Sequence, residues 1–370
     1  MPAFAVAIFG FGAILLSQSA SSGTQKLDTG KDIFFGGCIT CHGPDGKGMP
    51  KTTLGFEPPS TFPDFTDCNA TTREPDRDWK AIVTYGGPAR GFSEIMPSFV
   101  ELLTSEQIDM VIQFLRSFCR ETSWPRGDLN LPRTLISEKP FPEDETVITT
   151  GINAKGAPGT DHTITYERRF GVGNQIEVSF PFSFQRGDTG TWYGGVGDIA
   201  LGYKRLVFSS LRTGSILSVQ GEAILPTGNR AKGFGTGVTV FETFASYGQL
   251  LPAKSFLQFQ SGVELPRDMA KANRAVYWRT AFGKSLNQGM GLGRTWTPIV
   301  ELLADRELAT GEKTNWDLVP QFQVTLSRRQ HVRANVGVRV PINDFGGRPM
   351  QVMFYLLWDW FDGGLLEGWK

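Results

Sequence analysis

Residues 175–185 read QIEVSFPFSFQ. Every second position from Ile176 (Val178, Phe180, Phe182, Phe184) is apolar, and Glu177, Ser179, Ser183 and Gln185 fall between them. Successive side chains of a strand point to opposite faces, so this stretch is a strand with one apolar and one polar face. HVRANVGVRV, 331–340, repeats the pattern, with Val332, Ala334, Val336, Val338 and Val340 against Arg333, Asn335 and Arg339. FLQFQSGVEL (256–265) and LVPQFQVTLS (318–327) alternate in the same way, and about twelve such segments, the first near 146–153, follow one another with no helix between them.

A soluble sandwich and a transmembrane barrel both build strands with one apolar face. Length separates them: these segments run 9–14 residues, whereas ordinary strands average about 5–6. The connections separate them further. AKGAPGTD, RGDTGTWYGG, PTGNRAKGFGTG, PRDMAKAN and ADRELATGEKTN alternate with the shorter FGVGN, SSLRTGS and SRRQH. Long loops at one end and short turns at the other mark an outer-membrane barrel. QVMFYLLWDWF, 351–361, suits a lipid-facing last strand that ends at an aromatic girdle. On this reading Glu177, Glu222, Arg333 and Arg339 face the lumen.

The front of the chain is built differently. At 370 residues the chain calls for two domains, because single cores rarely grow beyond roughly 250–300 residues. All nine tryptophans except Trp79 and Trp124 lie after residue 190. Lys plus Arg and Asp plus Glu both total 37, so no net charge steers the protein to nucleic acid. Residues 3–16, AFAVAIFGFGAILL, followed by SQSASSG, have the length of a secretory h-region and fall short of the ~20 residues of a spanning helix. Export with cleavage near Ala20 is expected. ISEKPFPEDE, 136–145, is proline-rich and charged and reads as a linker.

Chemistry begins at CITCHGPDG, 38–46. Two cysteines two residues apart, with a histidine directly after, are the attachment signature of a c-type haem. On a helical turn the thiols of Cys38 and Cys41 reach the two vinyl groups of one porphyrin, and the His42 imidazole falls under the iron. A redox dithiol has no use for His42, and a zinc site needs a second Cys/His pair. A soft second axial ligand must come from Met49, Met96 or Met110. Met49 is seven residues from His42, and Met110 lies in TSEQIDMVIQFLRSFC beside an apolar stripe of Ile108, Val111, Ile112 and Leu115. Met96, in the loop GFSEIMPSF, is the expected ligand. Cys68 and Cys119 remain; an exported chain favours a disulfide between them, worth roughly 4 kcal/mol for the loop of about 51 residues it closes. Two buried free thiols are the alternative.

CxxCH, the helix DWKAIVTYGG, then MPSF, then LTSEQIDMVIQFLRSF resemble a class I cytochrome c over about 25–120. The resemblance implies a small all-α fold around one covalently attached haem c with His/Met ligation. It also implies a proline carbonyl holding the other nitrogen of His42, for which Pro63 in EPPSTFPDF is the nearest match. INAKGAPGTDHTITYERRFG, GDIALGYKRLVF and GEAILPTGN are similar to the bacterial outer-membrane family related to the phenol meta-degradation transporters. That resemblance implies a barrel and passage of small apolar compounds.

The expected organisation is a signal peptide (1–24), a monohaem all-α cytochrome c domain (25–135), a linker (136–145) and an antiparallel transmembrane β-barrel of about twelve strands (146–370). Such a chain is an electron carrier rather than an enzyme, since a haem with both axial positions filled has no open site. The leading expectation is an outer-membrane-anchored cytochrome transferring single electrons at the periplasmic face, in contact with outer-membrane lipid and a periplasmic redox partner. The alternative is a diffusion channel, with a small solute or shuttle in the lumen and the cytochrome as redox gate or sensor. The architecture is also similar to the fused monohaem cytochrome–porins of iron-oxidising bacteria, which implies oxidation of an external donor. His162 and His331 are expected at the surface or in the lumen.

Overall fold

The computed structural model describes residues 26–187, 189–287, 292–345 and 348–359; the apolar run at 3–16 lies outside them. Five helices come first: α1 (Gly30–Gly37), α2 (Ile39–His42), α3 (Cys68–Thr71), α4 (Asp76–Tyr85) and α5 (Ser105–Arg116). Thr104 and Gln107 close a capping box that starts α5. Its buried stripe of Ile108, Val111, Ile112 and Leu115 faces the core, where Val111 and Leu115 meet Ile33, Phe34 and Phe65. α1 crosses α5 at Gly30, where a Cβ would stand 2.1 Å from the Met110 carbonyl oxygen. Cys68 and Cys119 are bonded, with Cα atoms 5.1 Å apart.

Fourteen β-segments follow: β1 (Glu145–Lys155), β2 (Gly159–Phe170), β3 (Asn174–Arg186), β4 (Trp192–Val196), β5 (Ile199–Ser210), β6 (Ser215–Leu225), β7 (Val240–Leu251), β8 (Ser255–Pro266), β9 (Ala275–Lys284), β10 (Leu286–Asn287), β11 (Thr295–Glu307), β12 (Asn315–Thr325), β13 (Val332–Pro341) and β14 (Met350–Asp359). The short β4 and β10 only extend the pairing of β3 and β11. The other twelve form a closed antiparallel ring, sealed by β9 against β11 and by β14 against β1 (Glu145↔Asp359 onward). Closure removes the free edge that hydrocarbon would not tolerate.

The two faces are inverted relative to a soluble barrel. In β3, Ile176, Val178, Phe180 and Phe184 are exposed outward, while Gln175 and Glu177 are buried inward. Phe241, Phe259, Phe282, Val300, Phe322, Val336 and Phe354 continue the apolar exterior around the ring. An apolar outside and a polar inside make this a membrane-spanning barrel. One line of register carries Asp359, Glu145, Glu167, Glu177, Gly202, Glu222, Glu242 and Glu264 across neighbouring strands. Like charges directly opposite one another destabilise a sheet, so these carboxylates need partners.

Residues 129–144 supply them for Glu145 and Glu167, while Arg333 of β13 lies beside Asp359 and Tyr277 of β9 donates to Glu242. The stretch expected as a linker from residue 136, together with 129–135 expected within the cytochrome domain, is buried inside the barrel, where it forms a plug reaching all twelve strands. Arg133 donates to Glu145 (2.8 Å) and Glu167 (2.7 Å), and Lys139 donates to Glu143 and Glu145 (3.0 Å). Glu138 stands 3.7 Å from Lys204 of β5, and Gln175 of β3 accepts from the Glu143 amide. Gln258 and Gln260 of β8, Glu301 of β11, and Gln321 and Gln323 of β12 bond the plug backbone, as does Arg279 of β9 at 3.5 Å. Tyr355 of β14 donates to the Arg133 carbonyl. Each apolar cluster within the barrel contains a plug residue: Leu135 with Val147 of β1, Leu131 with Phe256, and Leu129 and Phe141 with Ile216 of β6. Gly248 of β7 and Gly337 of β13 are small because the plug lies on them; a Cβ there would meet Leu131 at 2.8 Å and Leu135 at 2.6 Å.

The helical domain sits at one end of the barrel, against the 326–331 turn. Fully described connections at that end are 171–173, 211–214, 252–254 and 326–331; at the other end they are 156–158, 226–239, 267–274 and 308–314. AKGAPGTD, expected among the long loops, contributes only 156–158 as a connection, because its flanks join the ladder of β1 and β2.

Candidate functional site

A cavity of ≈ 540 Å³ opens in the helical domain, lined by Cys38, Cys41 and His42 on one side of the sequence and by Pro63, Met96 and Phe99 from later loops. Its size is that of a cofactor site, and apolar residues such as Phe62, Trp79, Ile82, Val83 and Leu103 dominate its wall. α2 is a single turn: the His42 amide donates to the Cys38 carbonyl at 2.9 Å, and Gly43 leaves the turn at φ 71°. A β-carbon is disfavoured there, so glycine after His42 lets the chain turn away from the cavity. The ring of His42 stacks on Phe62 (5.2 Å between centroids) and tilts against Phe65 (5.0 Å).

Electrostatics agree with a metal-ligating imidazole. Burial lowers the His42 pKa to about 4, which keeps the ring neutral at neutral pH, the form that ligates iron. Burial, and then Cys41, push the Cys38 thiol up to about 11. His42 Nδ1 is buried without a hydrogen-bond partner among the described residues. Pro63 shares the cavity with it, but no bond from His42 to the Pro63 carbonyl is formed in this geometry.

Of the three methionines weighed from sequence, Met96 lines the cavity. Met110 packs against the helical core, and the Met49 amide bonds the Cys41 carbonyl. The Met96 loop is fastened to the end of α4 from both sides. Gly87 N–H donates to the Met96 carbonyl at 3.0 Å, Ser98 Oγ donates to the Thr84 carbonyl at 2.7 Å, and Phe99 N–H donates to Val83 at 3.1 Å. Gly87 allows this approach, since a Cβ would stand 2.1 Å from the Ser93 carbonyl oxygen. Two thiols, a neutral imidazole and a thioether around one apolar cavity fit a haem, which Cys38 and Cys41 would attach and His42 and Met96 would hold through the iron.

Sequence reading passed over three further residues of the wall, Glu74, Asp78 and Arg90. Arg90, 1 % exposed, lies 2.8 Å from Asp78. Nothing in their local pattern marks them; the pair exists because α4 and the 87–90 turn meet. His331, expected at the surface or in the lumen, is instead buried against Glu74, at 2.8 Å, where the two domains touch.

Residues 27–118 match the cytochrome c family. No curated protein matches the chain. Among solved structures the chain is similar to the NanC porin, at 8 % identity and TM-score 0.41, over 58 % of this chain and 98 % of that one. An outer membrane channel from Pseudomonas putida F1 aligns at 12 % identity and TM-score 0.40, over 61 % and 99 %. The KdgM porin in complex with disordered oligogalacturonate aligns at 6 % identity and TM-score 0.36, over 58 % and 98 %.

Proposed function

We propose that this chain is a c-type cytochrome anchored in the bacterial outer membrane, carrying single electrons at the periplasmic face. The observation that carries the reading is the meeting of Cys38, Cys41, His42 and Met96 at one apolar cavity within the segment that matches cytochrome c. Haem held there supplies one-electron transfer. The protein's own residues hold it, shield it from water and position it: Phe62 and Phe65 fix the imidazole plane, and the α4–Met96 ties fix the thioether loop. His42 and Met96 would both ligate the iron of a haem held there, and the chemistry it would supply is that of an electron carrier.

The barrel's role in this reading is to anchor and orient. What supports an anchor over a diffusion channel is the plug, whose residues fill the lumen at the end where the cytochrome sits. A haem matured in the periplasm, joined to the first strand and lying at the short-turn end, stays on the periplasmic side, with the longer loops outside. The partners are outer-membrane lipid and a soluble periplasmic redox protein.

Trypsin added to intact cells tests the topology. Arg230 and Lys232, exposed in the 226–239 loop, should be cut while the haem-bearing fragment survives undigested. Loss of the cytochrome under that treatment would overturn the placement.

A further inference from the structure

The cavity wall made by Glu74, Arg90 and Phe92 is backed by the barrel. The turn between β12 and β13 presses on all three. The Arg329 carbonyl accepts from Arg90 Nη2 at 2.9 Å. The Arg329 guanidinium donates to the Gly91 carbonyl at 3.2 Å and lies 4.3 Å from the centroid of the Phe92 ring. His331 Nε2 is 2.8 Å from Glu74 Oε1. Arg329 and His331 are each 3 % exposed.

The turn is held in shape before it meets the helical domain. Ser327 Oγ accepts from the amides of His331 (3.1 Å) and Val332 (3.2 Å), and Gln330 takes φ 63°. A non-glycine residue at positive φ costs free energy and persists only where its surroundings fix it. Burying two guanidiniums side by side is also costly unless their forks are satisfied. Asp78 and two backbone carbonyls engage part of each fork here.

We propose that the β12–β13 turn backs the wall of the haem pocket and that Arg329, acting through Arg90, Gly91 and Phe92, is a positioning residue for the haem's redox potential; the proposal rests on the cytochrome reading above. Oxidation adds a positive charge to the haem. Arg329 opposes that state in two ways of the same sign. Its own charge disfavours another cation nearby, and by clamping Gly91 and Phe92 it keeps water, which would stabilise the oxidised form, out of the cavity wall. The barrel therefore sets the potential as well as holding the cytochrome in place.

The test is a redox titration of the full-length, haem-loaded protein in detergent, with haem first quantified by its pyridine haemochrome spectrum. Arg329→Ala should lower the potential, so that at a fixed ambient potential the oxidised-to-reduced ratio rises about tenfold, or 59 mV for a one-electron couple. Arg329→Lys, which keeps the charge and loses the planar fork, should fall between the two; it serves as the measurement if the alanine variant does not fold. Arg212→Ala, which removes an exposed charge from the 211–214 turn at the same end of the barrel but across the ring from β12 and β13, should leave the potential unchanged. An unchanged potential in both Arg329 variants, or an equal shift in Arg212→Ala, would overturn the proposal. Failure of the wild-type chain to hold haem would instead refute the cytochrome reading.

Discussion

Replacing residues 129–143 with a glycine–serine chain of equal length is expected to open the barrel to ions, and to make it cation-selective. The plug's apolar anchors Leu129, Leu131, Leu135 and Phe141 sit in the clusters of the lumen, each contributing roughly 1.5–3 kcal/mol when fully buried. A glycine–serine chain has nothing to place there and behaves as a flexible coil. Removing Arg133 and Lys139 also strips Glu145 and Glu167 of their partners. Inside a dry lumen that would cost about 3–5 kcal/mol for a broken buried pair; water entry is the relief. Hydrated carboxylates along the Glu145–Glu264 register line then concentrate cations over anions by about tenfold. Single-channel recording in planar bilayers checks both points: the wild-type chain should stay closed, and the variant should conduct with a reversal potential of the cation-selective sign. Equal conductance in the two would mean that the plug does not seal the lumen.

The second large effect separates the two axial donors. His42→Ala is expected to abolish haem retention, because the imidazole is the nitrogen donor carried by the same turn as both thiols, and its ring is fixed between Phe62 and Phe65 before any iron arrives. Met96→Ala should leave haem covalently bound through Cys38 and Cys41 and remove only the methionine–iron charge-transfer band at the red end of the oxidised spectrum. Its loop stays in place, since Gly87, Ser98 and Phe99 hold it by bonds that involve backbone or Ser98 Oγ and not the thioether. Optical spectra of the two purified variants distinguish the outcomes. Retention of the band in Met96→Ala, with its loss in Met110→Ala, would reassign the ligand.

The barrel was legible because its alternation is a local property: in QIEVSFPFSFQ the period of two and the length of the run are both visible, and they gave twelve strands and the inward placing of Glu177. The polarity of the inside came with it, as Arg333 facing Asp359 and Arg339 facing Asp317 show. CxxCH was legible for the same reason, since both thiols and the imidazole belong to one helical turn. The plug was not, because proline and charge in ISEKPFPEDE read as a solvated linker, and only the enclosing strands turn Lys139 and Glu143 into buried partners. One local signal did exist: Leu129 and Leu131 alternate in DLNLPRTL, the strand-like spacing of a segment with an apolar face to bury. The contact of Arg329 and His331 with the haem-cavity wall spans some 240 residues of sequence, and no spacing rule reports it.

Sided reduction in proteoliposomes tests the central claim, a haem carrier fixed at one face of a sealed barrel. With trypsin sensitivity of the 226–239 loop used to establish orientation, a membrane-impermeant reductant is added to either side and the haem spectrum followed. Addition on the short-turn side should reduce the haem promptly, and addition on the loop side should leave it oxidised until detergent is added. Prompt reduction from the loop side would contradict the claim, showing either an open lumen or a cytochrome on the other face.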